Sequence, residues 1–378
     1  MRKKSQVLSV EYALLFRPKL SLPQSMNEKY YSFLLASICL VILQACSVNA
    51  TQGAASEPKN IHWQPQTKLP TPLQEVYPAV FDEKIYVAGA FEQSAHEHAV
   101  LAHLAASKST YVYHEQSKKW TRGPVLPESR HHLGLIASDN VLYAIGGFNA
   151  TSQNAWQVKR TVFTLQKGRG TWGVGPHLPI PMGESVYGVI NGYVHVAGGR
   201  TLINGKLSDT NAHWVLKAGR WQQAAPLPIA SNSATSVVIN DQWYVMGGRV
   251  NALDFKNLDN LWRYDVKQDS WERLANMPQA SAGLASAVFN GQIYVFGGEE
   301  YTYTMNIQGE REMKTRTFDG IWRYDPDSNL WHTEPSKMTS TRHGLGAVST
   351  NNHIYLLGGA KQAGATGTSA TFERMSLQ

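Results

Sequence analysis

The sequence predicts an all-β fold built from six copies of one four-stranded unit. A Gly-Gly doublet closes a short apolar run six times: KIYVAGA (a degenerate copy, Gly89-Ala90), VLYAIGG, YVHVAGG, QWYVMGG, QIYVFGG and HIYLLGG. The doublets begin at Gly89, Gly146, Gly198, Gly247, Gly297 and Gly358, so their spacings are 57, 52, 49, 50 and 61 residues. A tryptophan accompanies each: Trp63, Trp120, Trp172, Trp221, Trp271 and Trp331. Self-similarity near fifty residues marks a repeat architecture, each copy being one supersecondary unit.

The copy at 277–331 shows the unit's strands in order. Residues 282–289 (AGLASAVF) are small, as a strand in a crowded centre must be. Asn290-Gly291 is a hairpin turn, since both positions tolerate positive φ. Gln292-Ile-Tyr-Val-Phe296 is a β-branched and aromatic strand. The Gly297-Gly298 doublet turns the chain where a Cβ clashes. Ile321-Trp-Arg-Tyr-Asp325 is the third strand, and Trp331 stands in the fourth. A spacing of seven recurs in Tyr113/Trp120, Tyr264/Trp271 and Tyr324/Trp331, with Trp214/Trp221 as a variant. Rings of this size dominate core energetics, so all six tryptophans are assigned to packing between units and not to ligand stacking.

These marks resemble the kelch repeat. The resemblance implies a six-bladed β-propeller over residues 61–378, one four-stranded blade per copy. Trp63 precedes the first doublet, and no tryptophan follows the last. Residues 368–375 have room for one more strand, so the sixth blade lacks its outer strand and residues 61–69 are expected to supply it. Closure by both termini removes free sheet edges.

Residues 33–45 (FLLASICLVILQA) are an uncharged run, too short to span a bilayer and suited to a secretory leader. The run ends in Leu43-Gln44-Ala45-Cys46, which resembles the bacterial lipobox. That resemblance implies a signal peptide over 1–45, with Met26 an alternative start, and a lipid on Cys46 as the mature N-terminus. Ser47, where an Asp signals inner-membrane retention, points to the outer membrane, facing the periplasm. Plain secretion with cleavage after Ala50 is the alternative. Residues 46–60 read as a polar tether. Cys39 and Cys46 are the only cysteines, so the propeller holds no disulfide. Residues 46–378 carry 29 Lys/Arg and 26 Asp/Glu, a balance that gives no reason to propose nucleic acid.

In an up-and-down blade of strands a to d, the b–c and d–a loops share one face, which carries the pocket in kelch proteins. Sixteen residues before the doublets stand Arg130 and Arg342, among others. The next slot holds His131 and His343. The third holds Glu75, His132, Glu184, Ser233, Gly283 and Gly344. Immediately after the doublets come Phe91, Phe148, Arg200, Arg249, Glu299 and Ala360. The ligand-binding candidates are Arg130, His131, Arg200, Arg249, Arg342, His343 and Phe148. A guanidinium grips a carboxylate through two parallel hydrogen bonds, so the ligand is expected to be anionic. Kelch repeats often carry Arg in the slot of Arg130 and Arg342, where a structural role is the competing assignment.

Three function classes follow. The first is an envelope-anchored binding module for a protein, peptide or glycan. The second is an epimerase or mutarotase, because the chain resembles the bacterial kelch enzymes that interconvert anomers of N-acetylneuraminate. For that chemistry Glu184, Glu299, His131 and His343 are the acid–base candidates. The third, a copper radical oxidase of the galactose oxidase kind, needs a Cys–Tyr crosslink, and no cysteine lies beyond Cys46. No P-loop, GxSxG, HExxH or CxxC motif is present, so no cofactor is expected. His96, His98 and His103 in the first-blade insert offer no evident fourth ligand, so no metal is expected either. The insert 299–320 is long and Tyr-rich, either a lid or a mobile surface loop.

Overall fold

The computed structural model describes residues 60–94, 101, 103–151, 153–251, 255–350 and 353–377. The leader, Cys46, His96 and His98 lie outside these. The described chain forms six four-stranded antiparallel sheets. Blade 1 runs from its inner strand Ala79–Phe81 through Lys84–Ala88 and Thr110–His114 to Lys119–Arg122. Blades 2 to 5 repeat this order, with inner strands Gly134–Ser138, Val186–Ile190, Thr235–Ile239 and Ala285–Phe289.

Blade 6 is assembled from both ends of the described chain. Its strands Gly346–Ser349, Ile354–Leu357 and Phe372–Leu377 are completed by Ile61–Pro65. That outer strand pairs antiparallel with the C-terminal one, Trp63 opposite Met375.

The core is a cycle of six apolar clusters, each shared by two neighbouring blades. Trp243, Val245 and Tyr264 of blade 4 pack on Val186 and Ala197 of blade 3. Tyr355, Leu357 and Phe372 of blade 6 pack on Ile85, Val87 and Tyr113 of blade 1. The repeat tryptophans bind the same cycle. Each donates its indole N–H to a backbone carbonyl just past the outer strand of the preceding blade. Trp120 reaches Thr67, Trp172 Pro124, Trp221 Pro176, Trp271 Ala225, Trp331 Ala275 and Trp63 Lys337, all at 2.8–2.9 Å.

The doublets turn where backbone passes close. Gly297 has φ 62°, and a Cβ there would lie 2.3 Å from the Arg342 carbonyl oxygen. The insert at 299–320 is a regular hairpin, Glu299–Met305 paired with Arg311–Thr317. The described part of the first-blade insert is likewise a strand pair, Phe91–Gln93 with Leu104–Ala106.

Candidate functional site

In every blade the loop from the previous outer strand meets the residue after the doublet. His131 and Phe148 exchange two backbone hydrogen bonds at 3.0 and 2.9 Å. The same exchange joins Gly183 with Arg200, Asn232 with Arg249, Ala282 with Glu299, and His343 with Ala360. Gln74 and Phe91 are the matching ladder pair of blade 1.

One residue further along, all six blades adopt left-handed backbone: Glu75, His132, Glu184, Ser233, Gly283 and Gly344 have φ between 50° and 61°. Backbone bonds link five of them in a chain, for example Gly344 N–H to Gly283 O at 2.7 Å and Gly283 N–H to Ser233 O at 2.9 Å. Glu75, Ser233, Gly283 and Gly344 among them line a central cavity of about 420 Å³. Glycine is the natural occupant of such a position. Blades 5 and 6 use it, whereas blades 1, 2 and 3 hold Glu, His and Glu in the same strained conformation. Strain of this kind concentrates at functional sites.

Those three side chains meet. His132 Nε2 lies 3.1 Å from Glu75 Oε2 and 3.6 Å from Glu184 Oε1. The neighbouring imidazole fixes the protonation. His131 Nε2 faces the Ala155 carbonyl at 2.6 Å and must donate to it. Its Nδ1 then accepts from His132 Nδ1–H, also at 2.6 Å. With one ring nitrogen donating to His131 and the other facing carboxylates, His132 is an imidazolium. Burial opposes that charge, but Glu75 and Glu184 outweigh it and raise the His132 pKa. Burial likewise acts to raise Glu75, yet His132, His343 and Arg249 hold its carboxyl down at about 2. His131, pushed well below its ordinary value by burial and by His132, stays neutral.

A second group adjoins the first. Arg249 pairs with Glu299 Oε1 at 2.9 Å, and its guanidinium lies 5.3 Å from the Tyr301 ring centre. Tyr301 Oη donates to Glu299 Oε2 at 3.1 Å. His343 Nδ1 stands 3.4 Å from Glu299 Oε2 and 3.9 Å from Glu75 Oε1. Within these two groups, two buried side-chain atoms have no hydrogen-bond partner, Glu184 Oε2 and His343 Nδ1.

The structure thus brings Glu184, Glu299, His343, Arg249 and, by backbone pairing, Arg200 to the mouth. It does not bring Arg130 and Arg342 there. Arg130 is 1 % exposed and bonds Ser129 O, Thr161 Oγ1 and Glu128 within its own blade's loops. Arg342 is fully buried against Gly358 O and Glu373. Here their slot ties the loop to the region of the third strand, the structural role that competes with ligand contact. Phe148 and His131 pack against His132. Both are fully buried and stack on each other at 5.3 Å, so they support His132 instead of facing a ligand.

The mouth is not simply basic, since three carboxylates sit among its cations. Glu75 and His132 stood in the register but were not singled out. The available signal was the slot itself, where glycine in two blades flags the non-glycine residues of the others. Among the described residues no group of three His, Cys, Asp or Glu side chains is arranged for a metal.

Comparison with known proteins decides the family. Residues 79–298 and 177–359 match the model described as KLHDC2/KLHL20/DRC7 Kelch-repeats domain. The chain belongs to the kelch-repeat family. It is 27 % identical to Kelch-like protein terF of Aspergillus terreus over 193 residues, 49 % of this chain and 40 % of that protein. It is 29 % identical to Beta-scruin of Limulus polyphemus over 160 residues, 41 % of this chain and 17 % of the other. The chain thus spans less than half the length of these relatives. The solved structure of YjhT superposes with a TM-score of 0.67 at 17 % identity, covering 83 % of this chain and 99 % of that one. At that identity the likeness shows the fold: a kelch propeller.

Proposed function

We propose that this kelch propeller is a binding module that holds an anionic ligand at the channel mouth, and that a lipid on Cys46 keeps it in the bacterial envelope, at the outer membrane. The observation that carries the ligand reading is Arg200. Of the four register arginines it alone has no acidic partner among the described residues; its buried Nε, like those of Arg130 and Arg342, has no hydrogen-bond acceptor. The nearest acid in its hairpin is committed elsewhere: Asp209 accepts from Asn232 Nδ2 at 2.7 Å and from Asn251 N–H at 2.6 Å. A buried unsatisfied guanidinium donor calls for a partner, and a carboxylate fits it bidentately. The test is a thermal-shift panel of glucuronate, N-acetylneuraminate, glutamate-rich tripeptides and their uncharged counterparts. Acidic members should stabilise the protein and uncharged ones should not, because only binding to the folded state raises its apparent stability. Equal response to both sets overturns the reading.

The Glu75–His132–Glu184 group favours a second reading, ring opening of an acidic sugar by the acid–base chemistry of the N-acetylneuraminate enzymes. An imidazolium between two carboxylates supplies both a proton donor and acceptors at one point. Exchange NMR on N-acetylneuraminate anomers distinguishes the readings: catalysed interconversion, lost in His132→Gln, marks the enzyme.

A further inference from the structure

The b–c connections of blades 1 to 5 are strand pairs, whereas that of blade 6 is not. After one bridge, Ala360 to Thr368, residues 361–367 leave regular structure and cross onto the mouth. Their neck is closed by Lys361 N–H to Gly367 O at 3.0 Å. The tip is held by three side chains from three blades. His343 Nε2 donates to Gln362 O at 2.9 Å. Gly364 N–H donates to Glu299 Oε2 at 2.9 Å. Gln74 Nε2 donates to Gly364 O at 3.2 Å, oriented by Thr368 Oγ1 on its other end at 2.6 Å.

The asymmetry between the two sides is informative. Gln74, Glu299 and His343 are each 2–3 % exposed, a rigid and buried receptor. None of residues 361–367 is buried, so the loop is retained by polar contacts and not by core packing. Gly364 and Gly367, at φ 79° and 78°, give its backbone freedom to move.

We propose that residues 361–367 are a strap that fills part of the ligand site in cis and leaves when a ligand takes over its bonds. This rests on the reading that the mouth takes the ligand. The bonds define what can replace the strap: an acceptor for His343, a donor to Glu299 and an acceptor for Gln74. Three consecutive amide groups, as in a short peptide backbone, present that order. An intramolecular occupant lowers apparent affinity by the fraction of time the site is open.

The test uses the full chain with residues 362–366 replaced by Asn-Gly, which keeps the neck. His343 is followed by diethylpyrocarbonate modification mapped by mass spectrometry, with buried His195 as internal standard. In the native protein His343 should react slowly but measurably; in the strapless variant its rate should rise at least about tenfold, as expected when the closed fraction is removed. Gln74→Leu, which keeps the strap but drops one bond, should raise it to an intermediate value. Millimolar triglycine amide should slow His343 modification in the strapless variant, and glycerol should not. A native His343 as inert as His195, with no gain in either variant, overturns the strap. A gain without protection by triglycine amide overturns the amide assignment. If the acidic members of the panel fail to stabilise the protein while the strapless variant still exposes His343, the anionic reading fails and the strap stands.

Discussion

At the scale of single residues, the two histidine pairs show how surroundings set charge. His131–His132 opens onto carboxylates and holds one proton more than a neutral pair. His195–His213, at the interface of blades 3 and 4, is enclosed by Trp243, Tyr264 and Trp271. His213 Nδ1 donates to Ala225 O at 2.9 Å, and its Nε2 lies 2.9 Å from His195 Nδ1. Burial, helped by His213, lowers the His195 pKa to about 3, and burial lowers that of His213 to about 4. Both folded values lie below the ordinary histidine value. The pair's full stability is therefore present above about pH 6.5 and is lost as pH falls towards 4, because the unfolded chain binds protons first. Each histidine should contribute a slope of up to roughly 1.4 kcal/mol per pH unit in that window. Urea unfolding between pH 7 and 4.5 measures it. Replacing both by leucine removes donor and acceptor together and should flatten the profile; an unchanged slope would place the acid sensitivity elsewhere.

At the scale of elements, the indole bonds make each outer strand part of its neighbour's support. Trp271→Phe keeps the ring against Tyr264 and Trp243 but removes one of the two donors to the Ala225 carbonyl, the other being His213 Nδ1. It should lower stability by roughly 0.5–1.5 kcal/mol, the net worth of one hydrogen bond. Trp63→Phe, whose bond to the Lys337 carbonyl is exposed, should cost at the low end of that range, roughly 0.5 kcal/mol, although its strand lies at the other end of the chain. A neutral Trp63→Phe in denaturant titration would show that the closing strand carries little. The strands, doublets and tryptophans were legible because each blade repeats the same steric demand. What one repeat cannot report is a contact among blades. That Glu75, His132 and Glu184 converge appears only when three copies of one slot are placed around a channel. The roles of Arg130 and Arg342 were hidden for a related reason. Their partners, Thr161 just before the third strand of its blade and Glu373 on that of blade 6, leave no trace in spacing.

At the scale of the whole molecule, two proposals meet: a tethered N-terminus and a ligand at one face. The outer strand of blade 6 starts at Ile61, paired with Leu377, and runs towards Pro65, paired with Glu373. Outer strands run towards the d–a loops, so the chain joins the propeller on the face opposite the mouth. Cys46→Ser should shift the protein from the membrane to the soluble envelope fraction, read by fractionation and by mass spectrometry of the N-terminal peptide. Retention in the membrane with no acyl chain found would remove the anchor from the account. The central claim is that Arg200 meets an anion. Its most direct test is a cycle of four dissociation constants, measured by calorimetry. The tightest carboxylate from the panel and its carboxamide are each titrated into the native protein and into Arg200→Ala. The account predicts that the native protein prefers the carboxylate by about tenfold or more, as losing a desolvated charge pair requires, and that Arg200→Ala abolishes the preference. Full carboxylate affinity in Arg200→Ala, or equal affinity of the native protein for the carboxamide, would contradict it.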